Sequence, residues 1–112
     1  MCRLKNARIK VAKAKNKTRG EQELEDFDLV FKALAHQSRR NVLTVLQSRG
    51  GTMTAGDIVS RFSFAWPTMT RHLQQLEQAG LISVDKKSRE QHYTLNQERL
   101  KTVVNNWLKW FQ

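Results

Sequence analysis

The chain has 112 residues, 20 Lys+Arg against 10 Asp+Glu, a net charge of +10, 39% hydrophobic residues and one Cys. This is the size of one small domain with a tail, too small to enclose a large substrate cleft. No apolar run is long enough for a membrane span and no apolar segment follows the basic start as in a secretory signal. The lone Cys2 excludes an internal disulfide or a Cys-cluster metal site, leaving a soluble, cytoplasmic protein suited to polyanions, nucleic acid ahead of a membrane surface.

The charge is unevenly placed. Residues 1–20 hold eight Lys/Arg and no acid, whereas 21–28 hold five acids and no base. The first block lacks aromatic residues and has little apolar surface to offset its ordering entropy, so residues 1–22 are expected to be a basic, disordered tail and 23–112 the folded domain. An arm lying on phosphates and a merely solvated tail are both consistent with this block.

Leu24, Phe27, Val30, Phe31 and Leu34 recur at helical spacing and predict a first helix, with Asp26 and Asp28 near its start. Ser38 is the expected N-cap of a second helix carrying Val42, Leu43 and Leu46, which Gly50 and Gly51 end. Thr54 caps a short third helix with Ile58, Val59 and Phe62. Pro67 fits only a first helical turn, so a fourth helix starts near Ala65 or Trp66 and stops at Gly80. Alternation over 81–85 and again around Tyr93 and Leu95 predicts a two-stranded hairpin with a charged tip at 86–90. Leu100, Val103, Val104, Trp107, Leu108 and Phe111 mark a last helix. Its apolar stripe exceeds what one small core absorbs, so it is expected to pair with the first helix, through Leu24, Phe27 and Phe31, across a twofold dimer. The order is mainly α with a small β-hairpin: the layout of a winged helix-turn-helix.

The fourth helix carries the chemistry. Met69, Leu73 and Leu76 form its core stripe; Pro67, Arg71, Gln74 and Gln78 face the other way, flanked by Thr70 and Gln75. The outward face therefore carries one cation, several neutral hydrogen-bonding groups and no acid. Arg can bond guanine through two hydrogen bonds, Gln can bond adenine, and Thr can touch a thymine methyl. Trp66 and Thr68 open the helix; Trp66 either contacts DNA or packs on Phe62 or Phe64. Lys86, Lys87 and Arg89 on the hairpin tip suit phosphate or the minor groove, or simply keep a turn soluble.

Three blocks, FKALAHQSRRNVLTVL, TAGDIVSRF and WPTMTRHLQQLEQAGLI, resemble in order and separation the ArsR-type winged-helix transcriptional repressors. The resemblance covers residues 27–112 and not the tail. It implies a homodimer on the first and last helices, the fourth helix in the major groove, and repression by occupying a pseudo-palindromic operator. By position, Trp66, Pro67, Thr70 and Arg71 match DNA-facing family residues, and Lys86 to Arg89 the wing. Two departures stand out. Ala65 replaces the usual Ser cap of the recognition helix. The third helix has no Cys and the last has neither His nor Cys, so the chain resembles the branch that senses no metal, with no cofactor expected. His36, His72 and His92 lie in different elements and are expected to be packed or capping residues.

An enzyme is not expected, since no phosphate-binding glycine loop, catalytic triad or apolar carboxylate pair is present. The alternative is a winged helix used as a protein-interaction module, which would show an apolar or acidic patch on the fourth helix. An effector is left open by the sequence, as are the operator itself and the sign of regulation.

Overall fold

The computed structural model describes residues 17–112. Among the described residues, five helices and a three-stranded antiparallel sheet follow the order α1 (Arg19–Leu34), α2 (Gln37–Ser48), β1 (Thr52–Thr54), α3 (Ala55–Ser60), α4 (Trp66–Gln78), β2 (Ile82–Lys87), β3 (Glu90–Leu95) and α5 (Gln97–Leu108), with a closing 3-10 turn at Lys109–Phe111.

The first helix begins earlier than the Leu24 stripe predicts. Thr18 accepts the Glu21 N–H at 3.1 Å while the Glu21 carboxylate accepts the Thr18 N–H at 3.2 Å, a reciprocal capping box that starts the helix at Arg19. The end of the segment expected to be tail is therefore helix, and residues 1–16 lie outside the described residues. Asp26 consequently sits in mid-helix rather than in the first turn.

Ser38 does not cap α2: the N-cap is His36, whose side chain makes no capping bond. The other end is as expected. Gly50 and Gly51 take φ of 88° and 98°, and their N–H groups return to Gln47 and Leu46 in a Schellman closure. This turn releases β1, a strand that the hairpin expectation lacked. Thr52, Met53 and Thr54 pair with Thr94, Tyr93 and His92, so the wing is the outer part of a three-stranded sheet ordered β1-β3-β2. Three residues are too few for alternation to register. Thr54 then caps α3, accepting the Asp57 N–H at 3.1 Å, as its position predicts.

The core sits where α1, α2, α3 and α4 meet the sheet. Val30, Val42, Leu46, Ile58, Met69, Leu76 and Leu81 are its fully buried large side chains. Val103 is the residue of α5 buried there, and Trp107 packs edge-on against Phe31 of α1 at 5.1 Å. The last helix is thus clamped on the first within one chain.

The wing turn is strained. Lys87 pairs with Glu90, leaving Ser88 and Arg89 as a two-residue connection at φ of 48° and 75°. Both signs match a type I′ turn, whose twist suits a hairpin but which favours Asn-Gly. A non-glycine residue in this region costs ~1–2 kcal/mol, and glycine returns part of that as unfolded-chain entropy. Arg89→Gly is therefore expected to stabilise the fold by about 0.5–1 kcal/mol. A urea midpoint that rises at constant slope would bear this out; an unchanged or lower midpoint would show that the turn is unstrained.

Candidate nucleic-acid interface

Helix α4 is set into the fold by one stripe: Met69, Leu73 and Leu76 are buried. The opposite face is open. Trp66, Pro67, Thr70, Arg71, Gln74, Gln75 and Gln78 are all exposed, and Thr68 is half-buried at the flank. Ala65 is the N-cap and its side chain makes no capping bond, so the first amides of α4 receive no cap from that side chain. A Pro in the first turn removes one of these orphan donors. No acidic residue stands in that turn.

The two readings of Trp66 are separated by the neighbouring rings. Phe62 stacks on Phe64 at 5.8 Å and 20°, and Phe64 meets His72 edge-on at 5.6 Å. Trp66 joins neither contact and remains 53% exposed. It lines a shallow groove that also includes Thr54 and Gly56 at the start of α3 and Lys86 and Arg89 on the wing. Fold topology thus brings the start of α4 and the basic wing to one surface. Arg71, Lys86, Lys87 and Arg89 take part in no ion pair among the described residues, so their charge remains available to an external anion. The wing is not uniformly basic: Glu90 lies 3.9 Å from His92, and Asp85 shares the strand with Lys86.

The residues expected at a dimer surface divide. Leu24, Trp107, Leu108 and Phe111 are exposed, from 40% to 70%. Phe27, Phe31, Leu100 and Val104 are half-buried. Val103 belongs to the core of its own chain at 4% exposure, because α5 is already seated on α1. Trp110, which the periodicity argument passed over, is 73% exposed. Its position seven residues beyond Val103 and three beyond Trp107 was the available signal.

The underside of α4 carries His72, a packed residue as expected. His72 is buried there, 5.3 Å from the His36 ring, and its Nδ1 accepts from Arg39 Nε at 3.3 Å. Accepting at Nδ1 requires the neutral tautomer with the proton on Nε2. Burial, then the charges of Arg39, His36 and Arg71, hold the His72 pKa below its ordinary value of 6.5. Among the described residues, no group of three or more His, Cys, Asp or Glu is placed to hold a metal ion; Cys2 lies outside them. No helix among them is long and apolar enough to cross a membrane.

Comparison with known proteins places these features in a wider set. A helix-turn-helix domain family model matches residues 34–85. The transcriptional repressor SdpR of Bacillus subtilis is 40% identical over 79 residues, spanning 70% of this chain and 84% of that protein. The arsenical resistance operon repressor of Bacillus subtilis is 31% identical over 85 residues, spanning 76% and 80%. The crystal structure of an ArsR family transcriptional regulator superposes with a TM-score of 0.68 at 34% identity, covering 76% of this chain and 84% of that one. The solution structure of a homodimeric winged helix-turn-helix DNA-binding domain from Mycobacterium bovis shares the fold, with a TM-score of 0.68 at 22% identity over 82% and 84% of the two chains.

The His72 environment predicts a pH dependence. A histidine with a depressed folded-state pKa binds its proton more weakly folded than unfolded, so stability is retained above about pH 6.5 and declines as the pH falls below it. Urea midpoints at about pH 8 and about pH 5 should differ more in the wild type than in His72→Gln, which keeps an acceptor for Arg39 but cannot titrate. Equal differences in the two proteins would remove His72 from the account.

Proposed function

The chain belongs to the ArsR family of winged helix-turn-helix, DNA-binding transcriptional regulators, and we propose that it acts as a homodimeric repressor occupying a pseudo-palindromic operator. The observation carrying this reading is the outer face of α4. It has Arg71 and hydrogen-bonding Thr and Gln side chains, with one exposed acid, Glu77, at its flank beside the buried stripe, and an exposed Trp66 at the end nearest the basic wing. Such a face suits base edges in the major groove, with the wing on the neighbouring backbone. The site of action is the cytoplasm, where a bacterial operator is accessible.

Arg71 is assigned to a base edge, with Thr70, Gln74 and Gln75 beside it and Pro67 and Thr68 at the helix start. Lys86, Lys87 and Arg89 are assigned to phosphate. The two roles separate in a salt series. Losing a two-bond base contact costs ~1–3 kcal/mol at one base pair, whereas losing a phosphate contact weakens all sequences alike and reduces the salt slope by about 0.9. Arg71→Ala should therefore narrow the gap between an operator and a scrambled duplex, and Lys87→Ala should preserve the gap while flattening the salt dependence. If Arg71→Ala lowers both affinities equally, Arg71 grips phosphate and the reading face is misassigned. A footprint of the wild-type protein on the promoter of its own gene supplies the operator.

The dimer is assigned to α1 and α5. Trp107, in contact with Phe31 and with Phe111 at 4.9 Å, and the exposed Leu24, Leu108 and Phe111 supply its apolar surface. An interface of ~1,600 Å² is the usual size for a stable pair. Sedimentation should show a dimer at micromolar concentration, and Trp107→Ala should move it toward monomer or unfold it. A wild-type protein that stays monomeric would overturn this assembly.

A further inference from the structure

One side chain of α5 holds the far end of the recognition helix. Arg99 Nε donates to the carbonyl of Ala79, the buried C-cap of α4, at 3.1 Å, and Arg99 Nη2 donates to Asp26 of α1 at 3.3 Å. The preceding acceptors at this helix end are occupied. Gly80 N–H bonds the Glu77 carbonyl at 2.9 Å and Leu81 N–H bonds that of Leu76 at 3.0 Å, a Schellman closure. The guanidinium therefore meets the negative end of the helix dipole at a carbonyl the closure does not use. Gly80 makes room for it: a Cβ there would stand 3.0 Å from Arg99 Nε, and φ is +78°. One cation thus joins α1, α5 and α4.

We propose that Arg99 is a positioning residue for DNA recognition. It fixes the tilt of α4 against the α1–α5 frame and thereby sets the distance between the two reading helices of a dimer. The inference rests on the dimeric operator reading above. Leverage makes the link sensitive. A 13-residue helix is ~20 Å long and its buried Leu73 lies near the middle, so a shift of ~1 Å at Ala79 pivots the helix and displaces Trp66 by ~1 Å the other way. Hydrogen bonds to base edges tolerate only about half an ångström. The Asp26 and Arg99 side chains are 23% and 27% exposed, and a partly solvated pair of this kind contributes modestly to folding. Its removal should therefore register in helix placement more than in stability.

The test uses the full chain and the duplex that wild-type protein selects from a randomised library. Companion duplexes carry one base pair added or removed between the half-sites, or a single half-site. Arg99→Gln is expected to remain folded and dimeric and to bind the single half-site like the wild type. Its preference for the selected spacing should fall by about fivefold or more, the low end of one lost base contact. Arg99→Lys, which keeps the cation but can serve one partner at a time, should recover part of that preference. Asp26→Asn leaves the Ala79 bond intact and should give the same loss in weaker form, which keeps the test open if Arg99→Gln fails to fold. Variants that weaken half-site and full-site binding together, with spacing preference unchanged, would make Arg99 a stabilising strut only and overturn the proposal. A wild-type dimer that selects no paired half-sites would instead overturn the operator reading beneath it.

Discussion

A recognition helix is useful only if the side facing away from DNA is immobile, and here that hold is the burial of Met69, Leu73 and Leu76. Burying a large apolar side chain contributes ~1.5–3 kcal/mol, so this stripe fixes the rotation of α4 about its own axis. Rotation decides which residues are presented. With the stripe inward, Arg71, Gln74 and Gln75 face outward, and turning the helix to hide any of them would expose the stripe. The Thr and Gln side chains of the outer face contribute little to folding and are free to be chosen for what they bind.

Around that helix the fold supplies three supports of different kinds. The Phe62–Phe64–His72 ring cluster and Arg39 brace its underside. The sheet brings the wing beside its N-terminus, because β1 leads directly into α3 and pairs with β3. Arg99 closes its C-terminus and carries the connection to α1. Apolar burial sets rotation, the sheet sets the place of the wing, and a charged link ties the end of α4 to α1. These are separate degrees of freedom, and each is controlled by a different class of interaction.

The wing shows the opposite economy. Ser88 and Arg89 occupy left-handed backbone that an Asn-Gly pair would take with less strain. Arg89 keeps a cation at the tip that glycine would not supply. Local strain retained at a charged, exposed turn is the pattern expected where binding and stability compete.

Most of the element order was legible in the sequence because helices announce themselves by periodicity and by their ends. Pro67 fixes φ, Thr54 caps with its side chain, and Gly50, Gly51 and Gly80 accept the left-handed backbone that ends a helix; the boundaries they imply agree with the structure. The polar outer face of α4 was legible for the same reason: a helical wheel needs only the rise and turn of one helix. Even the early start of α1 was written in Thr18 and Glu21, a capping box hidden by the basic block around it. Tertiary structure alone decided the rest. The three-residue β1 exists only because β3 pairs with it. Trp66 is exposed because Phe62 and Phe64 satisfy each other. Val103 is core because α5 lies on α1. Arg99 lies 73 residues from Asp26 and 20 from Ala79, and no local pattern links them. Sequence periodicity reports how a segment divides between apolar and polar faces; which face meets which partner is a property of the packed whole.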